Sequence, residues 1–231
     1  MSEADTVQQR KIRSFVLRTG RMTDAQKQAL ARHWTVYGLE PEDGRINPAE
    51  IFQREAPLVV EIGFGMGDSL VEMADSARDC NFIGIEVHTP GVGRLLNQCA
   101  ERQLSNLRVY NADAVGVLND CLPVGGVDRL QIYFPDPWPK ARHHKRRLIQ
   151  AAFVQQLRRA LRIGGVLHLA TDWEHYAEQM LAVMSAADGF ANCAEDYCFA
   201  EKPDYRPTTK FEHRGEKLGH GVWDILFQRE S

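Results

Sequence analysis

The stretch Leu58-Val59-Val60-Glu61-Ile62-Gly63-Phe64-Gly65-Met66-Gly67-Asp68-Ser69 sets a short apolar run against three alternating glycines. The run LVVEIG (58–63) carries β-branched residues and predicts a buried strand. DSLVEMADSA (68–77) predicts a helix. Glycines at that junction let the backbone take positive φ and approach a ligand closely. Open α/β sheets bind ligands at the carboxyl ends of their strands, so this turn is the first candidate site. A glycine-rich turn alone is also no more than a tight strand–helix connection.

Working outward, strand and helix signals alternate. NFIGIEV (81–87), LRVYNAD (107–113), DRLQIYF (128–134) and VLHLATD (166–172) predict strands. GVGRLLNQCAERQL (91–104) and WEHYAEQMLAVMSAA (173–187) predict helices, as does RRLIQAAFVQQLRRAL (146–161), ended by Gly164-Gly165. Two further strand candidates, NCAEDYCFA (192–200) and VWDILFQ (222–228), have no helical pattern between them and can pair antiparallel. This pattern implies a mostly parallel sheet covered on both faces. Upstream, residues 1 to 12 read as a polar tail and Thr23–Tyr37 as a helix capped by Thr23 or Asp24. The expected organisation is a tail and helical extension over 1–40 and one α/β domain over 41–231.

Composition narrows the classes. The chain has 231 residues, 44% hydrophobic and 26% charged, which suits one large core and excludes global disorder. No apolar stretch approaches the ~20 residues of a membrane span, and MSEADTVQQRKIRSF lacks the apolar segment of a secretory signal. The five cysteines have no Cys-x-x-Cys spacing, which fits reduced cytoplasmic thiols rather than a metal or disulfide framework. The net charge of −3 gives no global hint of a nucleic-acid partner, so any hint must be local.

Spacing sharpens the glycine turn. Gly63, Gly65 and Gly67 form G-x-G-x-G, and Asp68 stands where dinucleotide sites continue toward a third glycine. A carboxylate at that helix start disfavours a pyrophosphate. Glu86 closes the second strand, roughly 20 residues on, where a carboxylate can accept ribose hydroxyls. Asp113, after the third strand, can accept from an adenine amino group or cap the helix at Ala114. With Glu61, these residues fit S-adenosylmethionine better than NAD and resemble the site of the class I methyltransferase fold.

The fourth strand runs into Pro135-Asp136-Pro137-Trp138-Pro139, whose prolines hold the Asp136 carboxylate at the ligand edge in an extended turn. Trp138 offers a face for stacking a base. Then come Lys140-Ala141-Arg142-His143-His144-Lys145-Arg146-Arg147, five of eight being Lys or Arg, a local inversion of sign that leads into a predicted helix N-terminus. Cations are unfavourable there without an anion, which points to phosphate contacts with a steep salt dependence. Asp172 closes the fifth strand and either accepts from a base or caps the helix at Trp173. The stretch Glu201 to Gly221, with Tyr205, Arg206, Lys210, Phe211 and Glu212, is long enough to read as a binding loop.

EIGFGMGDS, GIEVH, YFPDPWPKARHHKRR, LATDWEHYAEQM and RPTTKFEHRG together resemble the bacterial tRNA (guanine-N7-)-methyltransferase family, from about Phe15 to the last strand. The resemblance implies a class I (Rossmann-like) fold, a mostly parallel seven-stranded sheet with an antiparallel last strand. It also implies methylation of the guanine at position 46 in the tRNA variable loop, with S-adenosylmethionine as donor. It assigns Glu61, Gly63, Gly65, Gly67, Glu86, Asp113 and Asp136 to the donor, with Asp136 also catalytic. Lys140, Asp172, Thr209, Lys210, Phe211 and Glu212 fall to the substrate, and Arg142, His143, His144, Lys145, Arg146 and Arg147 to RNA. No metal, membrane or obligate protein partner is expected. Ala141 stands where a Lys is common in the family, removing one cation from the run. The rivals are an exocyclic-amine methyltransferase, disfavoured because Trp138 follows Pro137 directly, and a non-catalytic tRNA-binding protein.

Overall fold

Strands and helices alternate through most of the chain in a computed structural model that describes residues 20–195, 198–208, 212 and 221–231. In chain order they are α1 (Asp24–Tyr37), β1 (Gly38–Leu39), α2 (Pro48–Phe52), β2 (Leu58–Ile62), α3 (Asp68–Ser76), β3 (Asn81–Ile85), α4 (Thr89–Glu101) and β4 (Leu107–Tyr110). There follow α5 (Ala114–Gly116), β5 (Val127–Tyr133), α6 (Ala151–Ala160), β6 (Leu161–Thr171), α7 (Glu174–Ser185), β7 (Phe190–Asn192) and β8 (Trp223–Arg229). The sheet order is β1-β4-β3-β2-β5-β6-β8-β7. It is parallel from β1 to β6, and β8 runs antiparallel to both β6 and β7. This is the mostly parallel sheet with a reversed last strand that the sequence predicts. Six of the seven predicted strands are present in place, and Gly38–Leu39 adds a strand at the edge beside β4.

Each side of the sheet carries its own apolar layer. Val59, Phe82 and Val109 meet Leu70, Leu95 and Leu96 beneath α3 and α4. Val60, Ile83 and Ile225 meet Leu157, Met180 and Tyr176 beneath α6 and α7. Both faces being covered, β2 and β3 are buried along their whole length and read as continuous apolar runs rather than alternating ones.

The Thr23 hydroxyl caps α1 by accepting from Gln26 N, and the Gln26 side chain accepts from Thr23 N in return. α1 then lies on α4 at close range. A Cβ on Gly93 would meet the Gln26 carbonyl oxygen at 2.7 Å, so only glycine allows the approach. Ala29 and Tyr37 are buried in the same layer.

Three local expectations need correction. The basic run does not open a long helix: residues Ala141–Arg146 form a separate 3-10 turn, and α6 starts at Ala151. Lys145 and Arg146 therefore occupy the last turn of their own short helix, where the backbone dipole favours them, while Lys140 and Arg142 stand at its start. Gly164-Gly165 does not end α6, which passes into β6 at Leu161. The two glycines sit in a bulge where pairing jumps from Val127↔Leu161 to Arg129↔Val166. Finally, the strand expected over 192–200 is displaced to Phe190–Asn192, followed among the described residues by an isolated bridge from Ala200 to Asp224.

Candidate functional site

Strand order reverses at β2, whose neighbours β3 and β5 lead to opposite halves of the sheet. A cleft of about 220 Å3 opens at this switch point. Gly63, Glu86, Asp113, Pro135 and Asp136 line it together with apolar Ile62, Ile85, Ile132 and Leu148. Four of the sequence-predicted positions thus share one cavity, though they lie on four different strand ends.

The glycine turn is shaped for close approach. Gly63 and Gly65 have φ of 81° and 59°, and a Cβ on either would meet nothing within 4 Å. The space above them is open to a ligand. Gly67 precedes α3 with φ of 81°. Asp68, at the start of α3, accepts from Arg94 Nε at 3.0 Å and Nη2 at 2.8 Å, and from Gln98 Nε2 at 2.8 Å. The carboxylate held there keeps an anionic ligand off this helix start.

Glu86 is fixed by backbone. Its Oε2 accepts from Gly65 N at 2.8 Å, and its Oε1 accepts from Val87 N at 2.7 Å and His88 N at 2.8 Å. A carboxylate has about four acceptor positions, so about one remains for a ligand hydroxyl. The glycine turn and the β3 end are thereby locked to each other. Asp113 caps α5, its Oδ1 accepting from Val115 N at 3.1 Å, and the residue also lines the cleft.

Glu61 lies apart from the lining of this cleft. It points to the face of the sheet that carries Tyr133, where Gln131 Nε2 donates to its Oε2 at 2.8 Å. Burial pushes its pKa up to about 7, helped by Glu86 and opposed by Gln131 and Arg129. Its ordinary value is 4.5, so the folded protein holds the proton more tightly than the unfolded chain. Stability from this group is complete below the unfolded value and is lost as pH rises through about 7. The shift corresponds to at most ~3 kcal/mol, and relaxation around a buried carboxylate brings the expected effect to about 2 kcal/mol. Glu61→Gln, which keeps an acceptor for Gln131, is therefore expected to raise the ligand-free melting temperature at about pH 8 and leave it unchanged at about pH 4. Thermal melts across that range decide it, and a gap independent of pH refutes the titration.

Asp136 stands exposed on the cleft wall between two residues in the left-handed region, Phe134 (φ 50°) and Trp138 (φ 44°). Both precede prolines, which disfavours that conformation further. Something must hold such a turn, and Arg147 does. This residue leaves the basic run and turns inward, 1% exposed. Its Nε donates to Pro137 O at 2.8 Å, and its Nη1 bonds His175 Nδ1 at 3.1 Å and Gln179 Oε1 on α7. The guanidinium lies 4.7 Å over the Tyr176 ring. Arg147 is thus turned away from the surface on which the exposed cations of the run stand.

The rest of the run faces outward. Lys140, Arg142 and Lys145 are exposed, and His143, His144 and Arg146 half-buried. Partial burial and the cations Arg142, Arg146, Lys140 and Lys145 hold His143 below the ordinary histidine value, so lysine and arginine supply the charge. Arg146 lies 5.0 Å over the Trp138 ring, and His143 meets its edge. Asp172 follows β6 on the same sheet edge. It is not the cap of α7: Trp173 occupies the cap position, and Thr171 Oγ1 accepts from Trp173 N at 3.2 Å.

Of the late motif, Thr209, Lys210 and Phe211 lie outside the described residues. Glu212 is buried and paired with Arg206 at 2.8 Å. Sequence reasoning missed Asp224, which accepts from Arg206, and the buried polar groups that lead on from it, His168, Tyr133 and Gln131. The available signal was charge at strand positions flanked by apolar residues, as in LHL (167–169) and WDI (223–225).

No helix of the described residues is long and apolar enough to cross a membrane. Among them no group of three His, Cys, Asp or Glu side chains is placed to hold a metal.

Residues 55–225 match a family model described as "Putative methyltransferase". A protein of Saccharophagus degradans named tRNA (guanine-N(7)-)-methyltransferase is 61% identical over 218 residues, covering 94% of this chain and 95% of its own. One of the same name from Marinobacter nauticus is 59% identical over 222 residues, covering 96% and 93%. Among solved structures, the 16S rRNA methyltransferase KamB aligns with a TM-score of 0.57 at 13% identity, covering 92% of this chain and 96% of its own. At that identity the likeness speaks for the fold alone.

Proposed function

The chain belongs to the tRNA (guanine-N(7)-)-methyltransferase family, and we propose on that premise that it moves a methyl group from S-adenosylmethionine to N7 of guanine 46 in the tRNA variable loop. The observation that carries the reading is the gathering of Gly63, Glu86, Asp113 and Asp136 around one cleft at the switch point of the sheet. The open space above Gly63 and Gly65 accommodates the donor. Glu86 accepts a ribose hydroxyl and Asp113 the adenine amino group. When bound, S-adenosylmethionine supplies a methyl group on a sulfonium.

Guanine N7 carries a free lone pair, so no proton leaves before attack and no base is needed at the nucleophile. The chain's contribution is alignment and charge. As the N7–carbon bond forms and the sulfur–carbon bond breaks, positive charge passes to the guanine ring. Asp136 accepts from the N–H edge of that ring and stabilises the charge that develops there. Asp172 fixes the base from the end of β6. Lys140, Arg142, Lys145 and Arg146 hold phosphates.

The deep, narrow major groove of RNA hides N7 in a regular helix, so the target guanine has to lie in a loop or a tertiary junction. Nucleoside mass analysis of tRNA treated with the protein and methyl-labelled S-adenosylmethionine is expected to give 7-methylguanosine from the variable loop, and little label in a plain duplex. Label on an exocyclic amine, or efficient methylation of the duplex, overturns the reading.

A further inference from the structure

One face of the sheet carries a continuous polar chain that runs from Glu61 to Arg206. Glu61 accepts from Gln131, and Tyr133 OH donates to Gln131 Oε1 at 3.2 Å. Tyr133 OH and Tyr205 OH each lie 3.0 Å from His168 Nδ1. His168 Nε2 stands 2.7 Å from Asp224 Oδ1. Burial holds the His168 pKa below its ordinary value despite Asp224, so the neutral ring donates from Nε2 and accepts at Nδ1.

The chain ends on Arg206. Its Nε donates to Asp224 Oδ1 at 2.7 Å and its Nη2 to Oδ2 at 2.8 Å, a bidentate pair. The remaining terminal nitrogen, Nη1, lies 2.8 Å from Glu212 Oε2, and Lys202 Nζ is 3.6 Å from the other oxygen of Glu212. Arg206 is 1% exposed and Glu212 4%. Burial works against the charge on Arg206, but the two carboxylates outweigh it and raise its pKa.

Such a cluster is weak evidence for stability, because taking charges out of water costs about what their attraction returns. What it does provide is one fixed geometry. That geometry lies at the ligand edge: Asp224 pairs with Ala170 near the end of β6. The Arg206 guanidinium stands 5.9 Å from the Phe134 ring, two residues before Asp136.

We propose that Arg206 is a positioning residue for methyl transfer, acting through Glu212 by locking it, with the Lys202–Thr208 segment, to Asp224 at the edge of the sheet where the tRNA base is received. The assignment rests on the functional reading above together with the family resemblance, which gives Glu212 to the substrate. It goes beyond that reading by naming a residue that touches neither donor nor base.

The test is a double-mutant cycle of Arg206→Lys and Glu212→Gln on the full chain. Lysine keeps the charge and one bond to Asp224, so the network is not stranded. R206K is expected to raise KM for tRNA about tenfold, with kcat lowered less than about threefold and donor affinity within about twofold of wild type. In the E212Q background the same substitution is expected to cost less than about threefold, because coupled neighbours are non-additive. Additive costs, or a matching loss of donor affinity, overturn the assignment and leave Arg206 a fold-stabilising group.

Hydrogen exchange without tRNA gives a second readout. Exchange over residues 201–208 is expected to speed up about tenfold in E212Q, where the Arg206–Asp224 pair stays intact. Unchanged exchange overturns the lock even if R206K fails to fold. Wild-type turnover separates the two levels. No 7-methylguanosine from wild type refutes the functional reading, whereas a normal wild-type rate with additive costs refutes the positioning role alone.

Discussion

Asp136→Ala is expected to lower kcat on tRNA by a factor between about 10^2 and 10^3, the usual cost of removing one preorganised electrostatic partner of a developing charge. Asp136→Asn is expected to lose nearly as much. It keeps the size of the side chain, but its amide presents only one acceptor and no negative charge to a ring that is becoming cationic. The fold is expected to survive both changes, because the residue is exposed on the cleft wall and the turn is held by its neighbours. Stability within about 0.5 kcal/mol of wild type is the expectation for such a surface site. Single-turnover rates at saturating tRNA and donor, beside denaturant melts, separate chemistry from folding. A rate near wild type in either variant reduces Asp136 to a structural part of the proline turn.

The prominence of that turn in the sequence has a physical basis. Three prolines in five residues restrict the backbone whatever surrounds them, and glycines at a strand end do the opposite in an equally local way. Gly63, Glu86, Asp113 and Asp136 could therefore be read one strand end at a time, and the parallel sheet brings those ends together. The two-residue β1 was invisible because no periodicity can be measured over Gly38–Leu39. The start of α6 was misread because the apolar spacing of Leu148, Ile149 and Phe153 runs on through residues that are not helical. Ile149 N is hydrogen-bonded instead to Tyr176 OH at 3.2 Å.

The buried network escaped for another reason. β5 and β6 are covered on both faces, so Gln131, Tyr133 and His168 do not break an alternating pattern that would have flagged them. Their partners also lie far along the chain: Tyr133 meets His168 35 residues on, and His168 meets Asp224 56 residues on. Pairings of that separation become visible only once the register between strands is known, because that register decides which side chains face one another.

Arg147→Ala is expected to lower stability by about 3 kcal/mol, or about 10 °C in melting temperature for a chain of this size. It is also expected to slow turnover about thirtyfold. The first effect comes from emptying a buried position that serves Pro137 O, His175 Nδ1 and Gln179 Oε1 at once, leaving each without its donor or partner. The second comes from the turn. Two non-glycine residues at positive φ store about 1–3 kcal/mol each, so the turn relaxes when its anchor is removed and Asp136 moves off the cleft wall. Arg147→Lys is expected to recover little, since an ammonium cannot reach Pro137 and Gln179 together. Salt dependence separates this role from an RNA contact. A lost phosphate contact lowers the slope of log affinity against log salt by about 0.7–0.9 and leaves the melting temperature alone. That is the expected behaviour of Arg142→Ala and Lys145→Ala, whose side chains are exposed. Arg147→Ala is expected to show the reverse, a lower melting temperature with the slope unchanged. A reduced slope with an unaltered melting temperature in that variant would return Arg147 to the RNA-binding run and leave the strained turn without its anchor.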